Sequence, residues 1–207
     1  MPSTQHAYDH VAGILLPIAI AVFACVVIAL AVLLVSGARR RAPGRRSEAN
    51  RLEALYALAL GATVGVLVWV TFTAETPIDS LAARPGLQVD VVAAQWSWTF
   101  RYANGRTVTS VASWNPPVAL VPAGVEVQFD ATSRDVIHGF WVPQLHYLRQ
   151  LVPGYTTRFD LLFAKPGRYE GECAVYCGVL HSQMHFEIEA VSARRFRTWL
   201  GSGGRRL

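Results

Sequence analysis

The chain is 207 residues long, 52% hydrophobic and 16% charged, with a net charge of +5. That length accommodates one domain of ordinary size plus further elements. The basic excess is mostly arginine, some of it clustered in one loop. No Arg/Lys patch is interleaved with base-stacking aromatics, so composition argues against a nucleic-acid binder. Only Cys173 and Cys177 lie outside the apolar N-terminal third, which is too few for a disulfide framework.

Residues 1–10 are polar and carry no Lys or Arg, and Val11 to Val35 is uncharged and mostly apolar. As a helix this run covers roughly 37 Å, enough to cross a bilayer core of about 30 Å with some tilt. Pro17 is tolerated in such a helix. The absence of a basic leader and the length of the apolar run favour a membrane span over a signal peptide. Cys25 reads as a membrane-buried bystander. Arg39, Arg40, Arg41, Arg45 and Arg46 follow, broken by Pro43 and Gly44, and such a loop between two apolar runs is expected to stay cytoplasmic. Ala54 to Ala74 is a second uncharged span, in which Gly61 and Gly65 permit close helix packing. The expected topology puts the N-terminus and everything after residue 75 outside. This describes a multi-pass protein of the bacterial inner membrane with a periplasmic C-terminal domain.

Residues 76–86 read as a linker. From Leu87 the hydrophobic period changes to two: Leu87–Val92, Thr99–Tyr102 and Val125–Phe129 alternate as half-buried strands. Turn signals recur at Asn104-Gly105, Asn115-Pro116-Pro117, Pro122-Ala123-Gly124, Pro153-Gly154 and Pro166-Gly167. Short strands with regular turns predict an all-β sandwich or barrel over 87–191. Trp96 and Trp98 share parity and are expected on one face of a strand. Ser192 is an N-cap for a short surface helix carrying Phe196 and Trp199, which places a helix and tail in 192–207.

The chemistry concentrates in Cys173 to Met184, which reads C-x3-C-x3-H-x2-M. Thiolate, imidazole and thioether together suit copper better than magnesium or calcium. Two thiolates four residues apart can converge on one centre, and a thiolate can bridge two ions. Two other readings use the same residues: a disulfide, since the compartment is oxidising, and structural zinc held by two Cys and two His.

The loop resembles the binuclear copper (CuA) loop of subunit II of cytochrome c oxidases. Asp135-Val-Ile-His138-Gly-Phe-Trp141-Val-Pro143 looks like that family's matching histidine segment, and Gln95-Trp96-Ser-Trp98-Thr-Phe100-Arg-Tyr102 like its QWxWxFxY strand. The resemblance implies a membrane helical hairpin followed by a cupredoxin-like Greek-key β-sandwich. It implies two copper ions bridged by Cys173 and Cys177. His138 and Met184 would serve one ion; His181 and the Val175 backbone carbonyl would serve the other. Trp96 would be where electrons enter from cytochrome c, and Glu53, in Asn50-Arg-Leu-Glu53, would sit at the mouth of a proton-uptake path. Val175 stands where the family has glutamate, so the carbonyl survives but the side chain of an interfacial magnesium site does not. Leu148 and Gln150 replace a Lys and an Asp.

The implied function is the electron-entry subunit of a haem–copper oxygen reductase, passing electrons to haem in subunit I, which would hold the oxygen-reducing site. Alternatives are the copper-bearing subunit of a nitric oxide reductase and a membrane-tethered copper chaperone or store. Asp135, Glu170 and Glu172 are candidates for an acidic face toward a basic cytochrome. His6, His10, His146 and His185 match no motif position.

Overall fold

The computed structural model describes residues 4–37, 50–79, 81–111 and 116–202. The chain divides into two compact units, one of residues 7–76 and one that holds everything from Pro77 onward.

The first unit is helical: α1 is Thr4–Gly37 and α2 is Asn50–Asp79. Within them Tyr8–Ala29 and Leu55–Thr73, of mean hydropathy 2.9 and 2.0, are long and apolar enough to cross a membrane. Both helices outrun these stretches, α1 running on to Gly37 and α2 to Asp79. The segment read as a linker therefore begins inside α2. Phe23, Trp69 and Phe72 are exposed, as expected of helices whose apolar surface faces lipid rather than a protein core. Thr63, Thr71 and Thr73 donate their hydroxyls to the Ala59, Leu67 and Trp69 carbonyls one turn back, which satisfies them without water. The arginine cluster 39–46 lies outside the described residues. Glu53 belongs to α2, but its side chain is also outside them.

The second unit is a β-sandwich of two five-stranded sheets. The strands are β1 (Leu87–Ala94), β2 (Ser97–Tyr102), β3 (Thr107–Val111), β4 (Val118–Pro122), β5 (Glu126–Ser133), β6 (His138–Val142), β7 (Tyr147–Leu151), β8 (Thr157–Leu162), β9 (Gly167–Cys173) and β10 (His185–Val191). One sheet has the order β3-β2-β1-β5-β8 and the other β4-β10-β9-β6-β7. Pairing is antiparallel except for β1 with β5 and β4 with β10. Alternation along the strands sends Val89, Val91, Trp98, Phe100, Phe129, Phe140, Phe159, Phe186 and Ile188 between the sheets, where all are buried.

The aromatic rings fill the interior by edge-on and offset contacts: Phe140 stacks on Phe186 at 4.7 Å between centroids, and Trp98 meets Phe186 edge-on at 5.0 Å. The terminal helix α3 (Ala193–Gly201) starts at Ser192, whose side chain accepts a hydrogen bond from the Arg195 N–H. It is more than a surface helix. Phe196 and Trp199 are buried, and Trp199 meets Tyr102 edge-on at 5.1 Å. The Arg106 guanidinium lies over the Trp199 ring, 3.7 Å from its centroid.

Gly171 of β9 shows how closely this core is filled: a Cβ there would stand 2.1 Å from Phe186 Cζ. Gly171→Ala is expected to destabilise the domain by about 1–3 kcal/mol through overpacking. Urea unfolding of the detergent-solubilised chain measures it.

Candidate metal centre

Three neighbouring strands of one sheet build the site. In the order β10-β9-β6 each strand is antiparallel to the next. The start of β6 (His138), the end of β9 (Cys173) and the residue before β10 (Met184) therefore fall at the same end of the sheet. The β9–β10 connection doubles back on itself: the Cys173 N–H donates to the Met184 carbonyl at 3.0 Å, and the His181 N–H to the Gly178 carbonyl at 3.1 Å. That folds Val175, Cys177 and His181 over the strand ends.

The donors converge. Cys173 Sγ and Cys177 Sγ are 3.7 Å apart. His138 Nδ1 lies 3.7 Å and the Val175 carbonyl oxygen 3.2 Å from Cys173 Sγ. His181 Nδ1 lies 3.6 Å and Met184 Sδ 3.8 Å from Cys177 Sγ. His138, Cys173, Cys177 and Met184 are buried, and His181 is half-buried. All six sequence-predicted ligands are thus brought to one place. The sulfurs stand far outside the roughly 2.05 Å of a disulfide, and both thiols are free.

The second layer orients this set. Asp135 Oδ1 meets His138 Nε2 at 2.9 Å, leaving Nδ1 to face the sulfur. The other oxygen, Oδ2, accepts the Gln95 N–H at 2.6 Å. Asp135 is therefore a hydrogen-bond partner of His138 while its side chain stays partly exposed at the surface, where the sequence offered it as part of a docking face. The Gly139 N–H donates to Cys173 Sγ at 3.5 Å, and the indole N–H of Trp98 donates to the Met184 carbonyl at 3.2 Å. Gln95 donates its side-chain amide to the Cys177 carbonyl at 2.8 Å. His185 lies off the site, 3.4 Å from Glu172.

The two tryptophans do not share a strand face. β2 begins at Ser97, so Trp98 is a fully buried core residue, whereas Trp96 sits in the β1–β2 turn, half-buried. Turn geometry broke the alternation on which the parity expectation depended. Gln95, Gly139 and Trp98 escaped attention as contributors to the site. Their contacts run through backbone, indole and side-chain amide groups that are not metal donors, so they leave no mark in a search for ligand spacing.

The electrostatics are asymmetric. Burial raises the Cys173 thiol, but hydrogen bonds from the His138 side chain and from the Gly139 backbone outweigh it and bring it down to about 6. Burial and the neighbouring Cys173 charge push Cys177 up to about 12. Two thiolates this close cannot both ionise readily without a cation between them. Burial opposes charge on His138, yet its contacts with Cys173 and Asp135 raise it above an ordinary imidazole. Asp135 itself is lowered: burial works against its ionisation, and the Gln95 N–H and His138 prevail.

The donor chemistry fits copper. Tetrahedral zinc is satisfied by four ligands, whereas here a thioether and a carbonyl also face the sulfur pair. Thioether and thiolate together favour copper.

A buried cluster of two thiols, two imidazoles, a thioether and a carbonyl at one end of a cupredoxin-like sandwich defines a class: a metal-binding β-domain, here behind two apolar helices. Residues 87–191 match the family model of the periplasmic domain of cytochrome c oxidase subunit II, and the chain belongs to that family. It is similar to the probable cytochrome c oxidase subunit 2 of Streptomyces coelicolor, with 32% identity over 187 residues, covering 72% of this chain and 59% of that relative. It is also similar to cytochrome c oxidase subunit 2 of Yarrowia lipolytica, with 32% identity over 136 residues, covering 56% of each chain. Its span is thus under two thirds of these relatives' length. Among solved structures, the periplasmic domain of subunit II of cytochrome oxidase from Bradyrhizobium japonicum shares the fold. The TM-score is 0.55 at 23% identity, over 59% of this chain and 96% of that one.

On the metal-free protein, ultraviolet thiolate absorbance is expected to rise in two separate steps, the first with its midpoint near 6. Asp135→Asn removes the carboxylate that favours charged His138, and should move that first step upward. The sign for stability follows. Cys173 ionises more easily in the folded chain, so its contribution is full above the unfolded value of about 8.5 and is lost as pH falls through the folded one. His138, raised, contributes most below about 6.5, and its contribution is lost as pH rises through its folded value.

Proposed function

We propose that this chain is the electron-entry subunit of a haem–copper oxygen reductase, holding a binuclear copper centre. One observation carries the reading: two free, buried sulfurs 3.7 Å apart, each flanked by one imidazole and one weaker donor. A mononuclear copper site of the blue-copper type needs only one thiolate, so the second one held this close is the informative residue. Cys173 and Cys177 would be shared by both ions, His138 and Met184 serving one, His181 and the Val175 carbonyl the other. Each proposed ligand pair draws one donor from beside each sulfur, in keeping with that division.

When bound, such a centre supplies reversible one-electron transfer. The chain's own part is to keep the donors still and dry. Phe140, Phe186 and Trp98 wall the site off from water on the core side, and Asp135 fixes the His138 ring. Rigid, water-poor ligation lowers the reorganisation that accompanies each transfer. Trp96, half-exposed beside the loop, is the proposed entrance for electrons from a c-type cytochrome. Exit would be to haem in subunit I, with the β-domain on the periplasmic side of the inner membrane. Glu53, at the start of α2, is the proposed mouth of a proton path. Val175 leaves the loop without a carboxylate for an interfacial magnesium ion.

Electron paramagnetic resonance of the copper-loaded full chain in detergent is expected to show hyperfine structure from one unpaired electron spread over two copper nuclei. A single-copper pattern would sink the binuclear assignment. Cys177→Ser should abolish that signal and leave at most one copper per chain by metal analysis. Labile copper that chelators strip within the mixing time would favour a chaperone or store. Turnover of oxygen against nitric oxide by the purified complex separates the two reductase readings.

A further inference from the structure

Gln95 ties the Trp96 turn to both halves of the metal centre. Its backbone N–H donates to Asp135 Oδ2 at 2.6 Å, and Asp135 Oδ1 in turn holds His138 Nε2 at 2.9 Å. Its side-chain amide donates to the Cys177 carbonyl at 2.8 Å. One residue thus spans the histidine segment and the cysteine loop, and Trp96 is the next residue in the chain.

Gly178 completes the seat. Its φ is +119°, a conformation L side chains rarely adopt, and it follows Cys177 directly. A Cβ there would stand 3.1 Å from Trp96 Cζ2, 3.4 Å from Trp96 Nε1 and 3.2 Å from Gln95 Nε2. The indole edge therefore rests on the Gly178 backbone, where any side chain would press on it.

Trp96 Nε1 is buried there with no hydrogen-bond partner among the described residues. A buried donor left unpaired is unfavourable, so an indole free to turn would present this N–H to water. Its position is imposed by its neighbours rather than chosen by its own polar group.

We infer that Gln95 and Gly178 are positioning residues that hold the Trp96 indole on the backbone beside Cys177, keeping a short contact route from the protein surface to a metal-binding sulfur. The inference rests on the reading of Trp96 as the electron entrance. In that step one electron leaves the reduced donor and one arrives at the metal centre, with no bond made or broken. Transfer falls steeply with separation, so an indole swung away from Gly178 would slow entry without changing a single ligand.

The test uses the full chain in detergent with three variants: Gln95→Ala, Gly178→Ala and Trp96→Ala. The readout independent of activity is hydrogen exchange at the Trp96 indole N–H, followed by nitrogen-15 NMR on metal-free protein. Both positioning variants are expected to speed that exchange by about tenfold or more. In copper-loaded protein, electron input from a reduced soluble c-type cytochrome, normalised to bound copper, should fall by more than any loss of copper accounts for. Indole exchange unchanged in Gln95→Ala, or input lost only in proportion to lost copper, overturns the positioning role. If Trp96→Ala leaves input unchanged, the entrance reading fails on its own, and the exchange data still decide whether Gln95 and Gly178 hold the indole.

Discussion

The metal centre depends on a place where one backbone touches another. Gly139 donates its N–H to Cys173 Sγ at 3.5 Å and accepts the Ala174 N–H on its carbonyl at 3.1 Å. A Cβ at this position would stand 3.0 Å from the Val175 backbone nitrogen and from Val175 Cγ2. Only a residue without a side chain lets the cysteine loop lie directly on β6. With that approach made, Cys173 falls beside His138, and the Val175 carbonyl, held by the same turn of chain, faces the sulfur. A side chain at Gly139 would force the backbone at Ala174 and Val175 to give by a few tenths of an ångström, at the turn that carries the Val175 carbonyl.

The protein prepares the site electrostatically but does not finish the task. One thiol is eased toward ionisation by His138 and the Gly139 backbone, while burial and the neighbouring charge keep the other protonated. A cation that binds both must displace the reluctant proton, so binding is coupled to proton release. Asp135 lies at the far end of the same relay, 2.9 Å behind His138. The aromatic interior does the complementary work. Trp98 touches His138 edge-on at 6.2 Å between centroids and anchors the Met184 carbonyl through its indole N–H. Core and site are therefore one packed body, and a change in Trp98 would be felt at the thioether.

Some of this architecture was open to a reader of residues alone. The two membrane-length helices follow from uncharged runs, because bilayer thickness sets a minimum length that few other segments meet. The helix ends did not, since polar residues outside the apolar stretch extend a helix as readily as they end it. The β-sandwich was legible from period-two alternation. The alternation misled at Trp96, because a strand's parity holds only within the strand and β2 begins one residue later. Ser192 announced α3, but the burial of Phe196 and Trp199 against Tyr102 needed the partner surface.

The sequence by itself determined the donor types and their local spacing: Cys173, Cys177, His181 and Met184 lie within one short loop, and ligands that close are confined by chain connectivity alone. It also supplied His138 as a candidate, though only through resemblance, since nothing local links two residues 35 positions apart. Tertiary structure decided the rest. The order β10-β9-β6 brings the strand ends together, Gly139 and Gly178 allow the close approaches, and Asp135 and Gln95, both at the surface, aim polar groups at His138 and the Cys177 carbonyl. These are contacts between segments distant along the chain, made largely by backbone groups that every residue carries, and so they leave no signature in residue identity.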